Sequence, residues 1–219
     1  MVKKIAYILF DAANTLIHKP ELWSSFQSVF SKYGHILADE KLKLHHKILS
    51  ETIIFPDRTT KEFYFFFNGE LLMSLGIVPT KKMLDDLFQA CSYLPWSCFE
   101  DAYWLKESTV KMGILSNFNN NLPDIVIKLF GNIFTEIIVS ESVEVRKPDL
   151  KFYTLASEKI GISPNDILYV GDSLKLDIIP ATEAGFNCNL IDRNGIYLNF
   201  ENRISSLNNL NDGRYIYTQ

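Results

Sequence analysis

The sequence has few cysteines, no excess of basic residues and no apolar run long enough to cross a membrane. Its three cysteines, Cys91, Cys98 and Cys188, are odd in number and match no zinc-ligand spacing, so we expect reduced thiols in a cytoplasmic protein. The formal net charge is −4, which leaves no basic field for nucleic acid. The apolar run near the N-terminus ends in Asp11 and lacks a small-residue cleavage site, which favours a first strand over a signal peptide. We therefore expect neither a nucleic-acid nor a membrane partner.

Histidines are also few, and their spacing does not predict a metal site. His45 and His46 are neighbours in the charged stretch KLKLHHKIL. Adjacent helix positions point about 100° apart, so the two rings cannot share one metal as residues four positions apart can. We interpret this pair as part of a solvated helix face.

The pattern of apolar residues separates a short first strand from a long helical block. Residues 5–10 form a β-rich apolar run, and helical periodicity then extends from residue 21 to about residue 94. Within this block, residues 63–67 read FYFFF, which has the composition of a strand. The flanking residues favour a helix that is buried on several faces.

After residue 95 the pattern changes to an alternation of strand-like and helix-like segments. This alternation is typical of a parallel sheet with helices on both faces. We therefore predict an α/β fold with a doubly wound parallel sheet, formed by residues 1–16 and 95–219. Residues 17–94 are predicted to form an inserted helical domain.

Three polar residues fall where predicted strands end. Asp11 follows the first apolar run, Ser116 closes KMGILS, and Asp172 follows ILYVG. In parallel sheets, ligands bind at the carboxyl ends of the strands. Together with Lys147, in the segment VRKPDLKFY, these residues predict an active site at one edge of the sheet.

The same residues lie in four segments that resemble, in order, the four motifs of the haloacid dehalogenase superfamily of aspartate-nucleophile hydrolases. FDAANTL resembles the nucleophile motif Asp-x-Asp-Gly-Thr, and ILSN resembles the second motif, a strand ending in Ser or Thr. VRKPDLKFY resembles the Lys-Pro motif, and GDSLKLD the Gly-Asp-x-x-x-x-Asp motif. The resemblance covers residues 1–16 and about 96–219. It implies a Rossmann-like core, and the helical block matches the family's cap domain in position and length.

The resemblance assigns a role to each of these residues. Asp11 would be the nucleophile, because a carboxylate that attacks phosphorus forms an aspartyl-phosphate and splits one hard step into two. Mg²⁺ would be the cofactor, since it prefers oxygen ligands. Its ligands would be Asp11, Asp172 and the backbone carbonyl of Ala13. Asp177 would complete the metal site, holding Lys147 or a metal-bound water.

Three further groups would contact the transferring phosphoryl group. Lys147 would offset its negative charge, while the Ser116 hydroxyl and the Asn117 amide would donate hydrogen bonds to its oxygens. The implied substrate is a small phosphorylated metabolite. We expect the protein to be a monomer or a homodimer.

The sequence departs from the family pattern at Ala13. In phosphatases of the family this position is a second Asp, which protonates the leaving alcohol and then activates water. A general acid/base of this kind is typically worth roughly 10²–10⁴ in rate. Asn14 also replaces the usual Gly, and Asn tolerates a positive φ better than most residues.

Three interpretations of Ala13 remain open. Dehalogenases of the superfamily also lack the second Asp, but they lack the metal-binding carboxylate of the fourth motif as well. This chain has that carboxylate, Asp172, which argues against dehalogenation. Phosphonatases carry Ala at this position and use a lysine of the cap that forms a Schiff base. Lys41, Lys43 and Lys47 lie in the helical block, with no matching motif around them. A phosphatase subgroup with an FDAAGTL-like motif resembles this chain most closely.

We therefore predict a Mg²⁺-dependent phosphohydrolase with low turnover on ordinary phosphate monoesters. The competing hypothesis is a non-catalytic protein that binds phosphate ligands and has kept only the metal site.

Overall fold

The computed structural model describes residues 3–213 and 215–218, which form two compact units. The α/β unit combines Met1–His18 with Cys98–Gln219, and the helical unit is Lys19–Ser97. Among the described residues, no helix has both the length and the apolar character that spanning a bilayer requires.

The α/β unit is built on a six-stranded parallel sheet. Its strand order is β6-β5-β2-β7-β8-β9. The other strands form two short pairs, β1 with β10 and β3 with β4. The strands are β1 (Lys3–Ile5), β2 (Tyr7–Phe10), β3 (Ile17–His18), β4 (Ser97–Cys98), β5 (Lys111–Ser116), β6 (Phe134–Val139), β7 (Ile167–Gly171), β8 (Asn187–Ile191), β9 (Arg203–Ile204) and β10 (Tyr215–Tyr217).

Helices fill the helical unit and connect the strands of the sheet. They are α1 (Leu22–Lys32), α2 (Asp39–Thr52), α3 (Lys61–Ser74), α4 (Lys81–Cys91), α5 (Leu122–Phe130), α6 (Ser140–Val143), α7 (Leu150–Ile160) and α8 (Ile179–Glu183). A π-helical turn, Leu174–Ile178, leads into α8. The predicted fold class, a parallel α/β sheet with helices, is confirmed.

Strands β2 and β7 lie side by side in the middle of the sheet, and every residue in them is buried. Central parallel strands are covered on both faces, which explains why their sequences, YILF and ILYVG, are almost continuously apolar. Strand β2 pairs in parallel with β5 on one side and with β7 on the other, so all three strands run in the same direction. The residues that follow them therefore emerge at one edge.

The helical unit packs α1–α4 around its own apolar core, which includes Phe26, Phe30, Leu71 and Leu87. Threonine side chains cap α3 and α4, since Thr60 accepts from the backbone N–H of residue 63 and Thr80 from that of residue 83. The segment FYFFF lies within α3, as its flanking residues predicted.

The prediction of a solvated face is wrong for His46. Its half-buried ring lies in edge contact with Trp23, Phe26 and Phe67, at centroid distances of 5.3, 6.3 and 5.0 Å. Burial, with a smaller contribution from Lys47, lowers the pKa of His46 to about 4. The local sequence is charged, but the tertiary packing of α2 against α1 and α3 places this position among aromatic rings.

The pKa of His46 predicts an acid-sensitive free energy of unfolding. The unfolded chain binds a proton at this residue near pH 6.5, and the folded chain only near pH 4. Stability should therefore fall as the pH drops through this window, by at most about 1.4 kcal/mol per pH unit from this group. Urea unfolding at pH 7 and at pH 5 measures this change in the free energy of unfolding. His46→Phe should lose part of this dependence and His45→Gln should retain it, whereas equal dependence in both variants would refute the assignment.

Candidate active site

The structure brings the three strand-end residues together. Asp11 directly follows β2, Ser116 ends β5 and Asp172 directly follows β7, and these three strands are adjacent in the sheet. The carboxylate oxygens of Asp11, Asp172 and Asp177 lie within 4.8 Å of one another. The Ser116 hydroxyl donates to Oδ1 of Asp11 at 3.1 Å.

Lys147 lies at the centre of this group of carboxylates. Its Nζ donates to Oδ1 of Asp11 and to Oδ1 of Asp177, each at 2.6 Å, and contacts the Tyr169 hydroxyl at 3.1 Å. The lysine is 2% exposed. Because an ammonium has three N–H donors, these acceptors satisfy Nζ completely.

Asp177 is held by protein donors at both oxygens. Oδ1 accepts from Lys147 and from the Tyr169 hydroxyl, and Oδ2 accepts from the backbone N–H of Ser173 at 2.9 Å. A Cβ on Gly171 would overlap the Asp177 carboxyl group, so the glycine of this motif makes room for it. The contacts therefore favour Asp177 as a partner of Lys147 over Asp177 as a direct metal ligand.

The side chain of Asn117 is occupied by the backbone of Lys147. Its Nδ2 donates to the Lys147 carbonyl at 2.9 Å, and its Oδ1 accepts from the Lys147 N–H at 2.8 Å. This pair fixes the chain that carries Lys147 beside the end of β5. The donors that remain for the role predicted for Asn117, donation to the substrate, are its backbone N–H and the second N–H of Nδ2.

The turn after Asp11 keeps the backbone conformation that the sequence suggested. Asn14 has φ 62°, and its N–H donates to the Ile17 carbonyl at 2.7 Å. Asn tolerates this left-handed conformation, which explains how it replaces glycine. Ala13 is half-buried and forms a bridge with Ile17.

Sequence reasoning missed two groups that support the site. Tyr169, in the buried strand β7, hydrogen-bonds both Lys147 and Asp177. Arg193 donates to the carbonyl of Thr15, in the nucleophile segment, and is paired with Asp101. Neither residue belongs to a motif, and only the fold shows their contacts.

The site holds three carboxylates close to one buried ammonium. Burial raises the pKa of Asp11 to about 7, Lys147 opposes this rise, and the nearby carboxylates Asp177 and Asp172 add to it. For Lys147, burial lowers the pKa, but Asp11 and Asp177 together outweigh burial and raise it. Asp11 and Asp177 therefore share the ammonium of Lys147.

This donor set fits a magnesium ion. Mg²⁺ takes oxygen ligands and commonly binds through one or two carboxylates together with water and substrate phosphate. The carboxylates of Asp11 and Asp172 supply such oxygens, and a divalent cation would offset the repulsion among three carboxylates that lie within 4.8 Å of one another. The site contains no sulfur or imidazole ligand among the described residues that would favour a softer metal.

Two of the three lysines singled out in α2 are paired with acidic residues of that same helix. Lys47 lies 2.9 Å from Glu51, and Lys43 lies 3.9 Å from Asp39, each one turn away. Lys41 is exposed to solvent. These contacts are those of an ordinary charged helix surface, and they lend no support to Schiff-base chemistry.

Comparison with known proteins shows what this chain is similar to. A family model described as haloacid dehalogenase-like hydrolase matches residues 99–191. The glyceraldehyde 3-phosphate phosphatase of Methanopyrus kandleri is 38% identical over 72 residues, which is 33% of this chain and 30% of that protein. The same-named phosphatase of Methanothermobacter thermautotrophicus is 25% identical over 194 residues, covering 88% of this chain and 77% of the relative. For the first three curated relatives, the matched segment spans 30–49% of their length.

Solved structures show the same fold. The magnesium-bound HAD hydrolase YfnB of Bacillus subtilis aligns with a TM-score of 0.68 at 19% identity, over 98% of this chain and 100% of that one. L-2-haloacid dehalogenase of Xanthobacter autotrophicus aligns with a TM-score of 0.62 at 19% identity, over 94% and 96%. The resemblance to haloacid dehalogenase-like hydrolases, a class that includes phosphatases and dehalogenases, is thus confirmed.

The contacts of Lys147 predict a large and non-additive loss of stability on its replacement. Lys147→Met leaves Asp11 and Asp177 buried without their cation, which should cost about 3–5 kcal/mol in the free energy of unfolding. The double variant Lys147→Met/Asp177→Asn should lose less, since one uncompensated charge is removed with it. Urea unfolding at pH 7 of these two variants and of Asp177→Asn alone gives the three values that the comparison needs. Strictly additive losses would show that Lys147 and Asp177 are not coupled.

Proposed function

We propose that this chain is a cytoplasmic, Mg²⁺-dependent phosphohydrolase that acts on a small phosphorylated metabolite. The observation that carries the proposal is the pairing of the Asp11 carboxylate with both Lys147 and Ser116 at the carboxyl end of β2. This geometry gives a buried nucleophile, a fixed positive charge and a hydroxyl donor around one point. Phosphoryl transfer needs these components, because its catalysis is mostly positioning and charge stabilisation.

The chemistry begins at Asp11. Its carboxylate attacks phosphorus and expels the leaving group, so that Asp11 becomes an aspartyl-phosphate. As the carboxylate becomes part of an anhydride it loses its negative charge and attracts Lys147 less. The N–H of Lys147 and the hydroxyl of Ser116 are then available to the oxygens of the phosphoryl group.

The proposed metal ligands are Asp11, Asp172 and the backbone carbonyl of Ala13. Bound there, Mg²⁺ would supply the positive charge that lets an anionic phosphate approach a cluster of carboxylates. Asp177 and Tyr169 hold Lys147 in place and take no direct part in the reaction.

The named activities of the relatives support phosphate chemistry. Two of the curated relatives are glyceraldehyde 3-phosphate phosphatases, and others are phosphoglycolate phosphatases. Haloacid dehalogenases are also among the relatives, but the carboxylate of Asp172 in this chain fits a metal-dependent reaction better.

A second candidate is a protein that binds a phosphate ligand without turning it over. Ala13 favours this alternative, because a methyl group can neither protonate a leaving alcohol nor activate water. Metal-dependent release of phosphate from an aryl phosphate distinguishes the two functions. A binder would release none, although phosphate would still raise its melting temperature.

Removing a metal carboxylate should weaken Mg²⁺ binding. Asp172→Asn exchanges a charged ligand for a neutral amide, and we expect at least about a 10-fold increase in the dissociation constant. Isothermal titration calorimetry measures this dissociation constant for Mg²⁺. Asp124→Asn, which removes an exposed charge on α5, is the matched control. Equal Mg²⁺ affinity in both variants would rule out the proposed site.

Restoring the missing carboxylate should help most where the leaving group needs a proton. Ala13→Asp should raise steady-state hydrolysis of an alkyl phosphate by roughly 10-fold or more. Its effect on formation of the aspartyl-phosphate from an aryl phosphate should be small. Ala13→Asn has a similar size but no acid/base function, so it should bring no gain. A gain in formation of the aspartyl-phosphate that does not depend on the leaving group, or a gain that both variants share, would contradict this account.

A further inference from the structure

The described residues of the α/β unit supply the groups needed to receive a phosphoryl group at Asp11, but their contacts place no group there to activate water. The charged side chains that act on Asp11 are Lys147, Asp177 and Asp172. Lys147 is a buried ammonium whose three donors are directed to Asp11, Asp177 and Tyr169. It carries no lone pair and cannot take a proton from water.

The two other carboxylates are committed to different tasks. Asp177 uses Oδ1 to hold Lys147 and Tyr169, and Oδ2 to accept from the Ser173 N–H. Asp172 is the carboxylate that we assign to the metal together with Asp11. A carboxylate stabilised by a cation or by several donors is a weak proton acceptor.

Neither Ala13 nor His18 has a described contact with Asp11 that would make it this base. Ala13 contributes only a methyl group at the position next to the turn. The single histidine in the sequence of this unit, His18, has its ring stacked on Phe99 at a centroid distance of 4.1 Å and an interplanar angle of 10°. That ring is part of a stack in which Arg193 also lies over Phe99, at 3.8 Å.

We propose that Asp11 accepts a phosphoryl group from small acyl phosphates and then retains it as a long-lived aspartyl-phosphate. This inference rests on the proposed function and names the substrate class, mixed anhydrides of carboxylic and phosphoric acid. Such donors match a site that has phosphoryl-stabilising groups and no acid, because their leaving group departs without a proton.

The first step balances without any proton transfer. An oxygen of the Asp11 carboxylate forms a bond to phosphorus, and the bond between phosphorus and the oxygen of the donor's carboxyl group breaks. The bonding electrons leave with the donor as a carboxylate, which is stable at neutral pH without protonation. The missing acid at Ala13 therefore costs little in this step.

The second step is the one that the site does not assist. Water must attack the phosphorus of phospho-Asp11 and give up a proton while the Asp11 carboxylate leaves. A general base typically contributes roughly 10²–10⁴ to such a step. Without it the phosphorylated protein becomes the resting state, and the protein acts as a phosphoryl acceptor that turns over slowly.

The experiment mixes the protein with Mg²⁺ and p-nitrophenyl phosphate, and follows nitrophenol release by stopped flow. We expect a burst of about one nitrophenol per chain, followed by steady release at least roughly 10-fold slower. In parallel, the protein is incubated with Mg²⁺ and acetyl phosphate, quenched in acid and analysed by mass spectrometry. The peptide that contains Asp11 should carry one added phosphoryl group.

Two variants give the controls. Ala13→Asp should abolish both the burst and the accumulated phosphopeptide, because the new carboxylate speeds the second step, whereas Ala13→Asn should retain both. Steady release without a burst or phosphopeptide, lost in Asp11→Asn, would overturn this inference and leave the phosphohydrolase intact. No nitrophenol and no phosphopeptide under any condition would overturn the proposed function as well.

Discussion

The ion pairs between Lys147 and the carboxylates of Asp11 and Asp177 are the interaction on which this site depends. Removing charges from water costs several kcal/mol per ion, and their attraction compensates only if every remaining donor and acceptor is paired. Here the Tyr169 hydroxyl accepts the third hydrogen bond of Lys147, and the Ser173 N–H and the Ser116 hydroxyl donate to the carboxylates. These contacts hold Asp11 and Lys147 in one geometry.

The fold explains how these groups meet. Phe10 at the end of β2 pairs with Val170, one residue before the end of β7, so Asp11 and Asp172 follow their strands one residue apart in level. Asn117, just after β5, binds the backbone of Lys147 through both polar atoms of its amide. The closeness of the three carboxylates is the reason that a divalent cation and an anionic phosphate suit this edge of the sheet together.

Sequence reasoning succeeded where a pattern is local. The buried strands, the alternation after residue 95 and the polar residues at strand ends follow from short stretches of sequence, and they predicted the fold class and the grouping of Asp11 with Ser116. The contacts of Tyr169 and the environment of His46 depend on residues far along the chain. A tyrosine inside an apolar strand and a histidine in a charged helix give no local sign of their partners.

Ala13 is one of two departures from the family motif, and it has a physical meaning in the proposed reaction. Ala13 removes a proton donor and acceptor but leaves the turn at Asn14 and the ion pairs of Lys147 in place. We therefore expect transfer to Asp11 and release from Asp11 to be affected to different degrees, which would separate binding of a phosphoryl group from its hydrolysis.

A crystal structure of the protein with Mg²⁺ and beryllium trifluoride, a mimic of a phosphoryl group on a carboxylate, tests the central claim most directly. We predict beryllium bonded to a carboxylate oxygen of Asp11, with Mg²⁺ between Asp11 and Asp172. Lys147 and Ser116 should then lie within hydrogen-bond distance of the fluorine atoms. A fluoride complex bound elsewhere, or Mg²⁺ bound without contact to Asp11, would contradict the role of Asp11 as the phosphoryl acceptor.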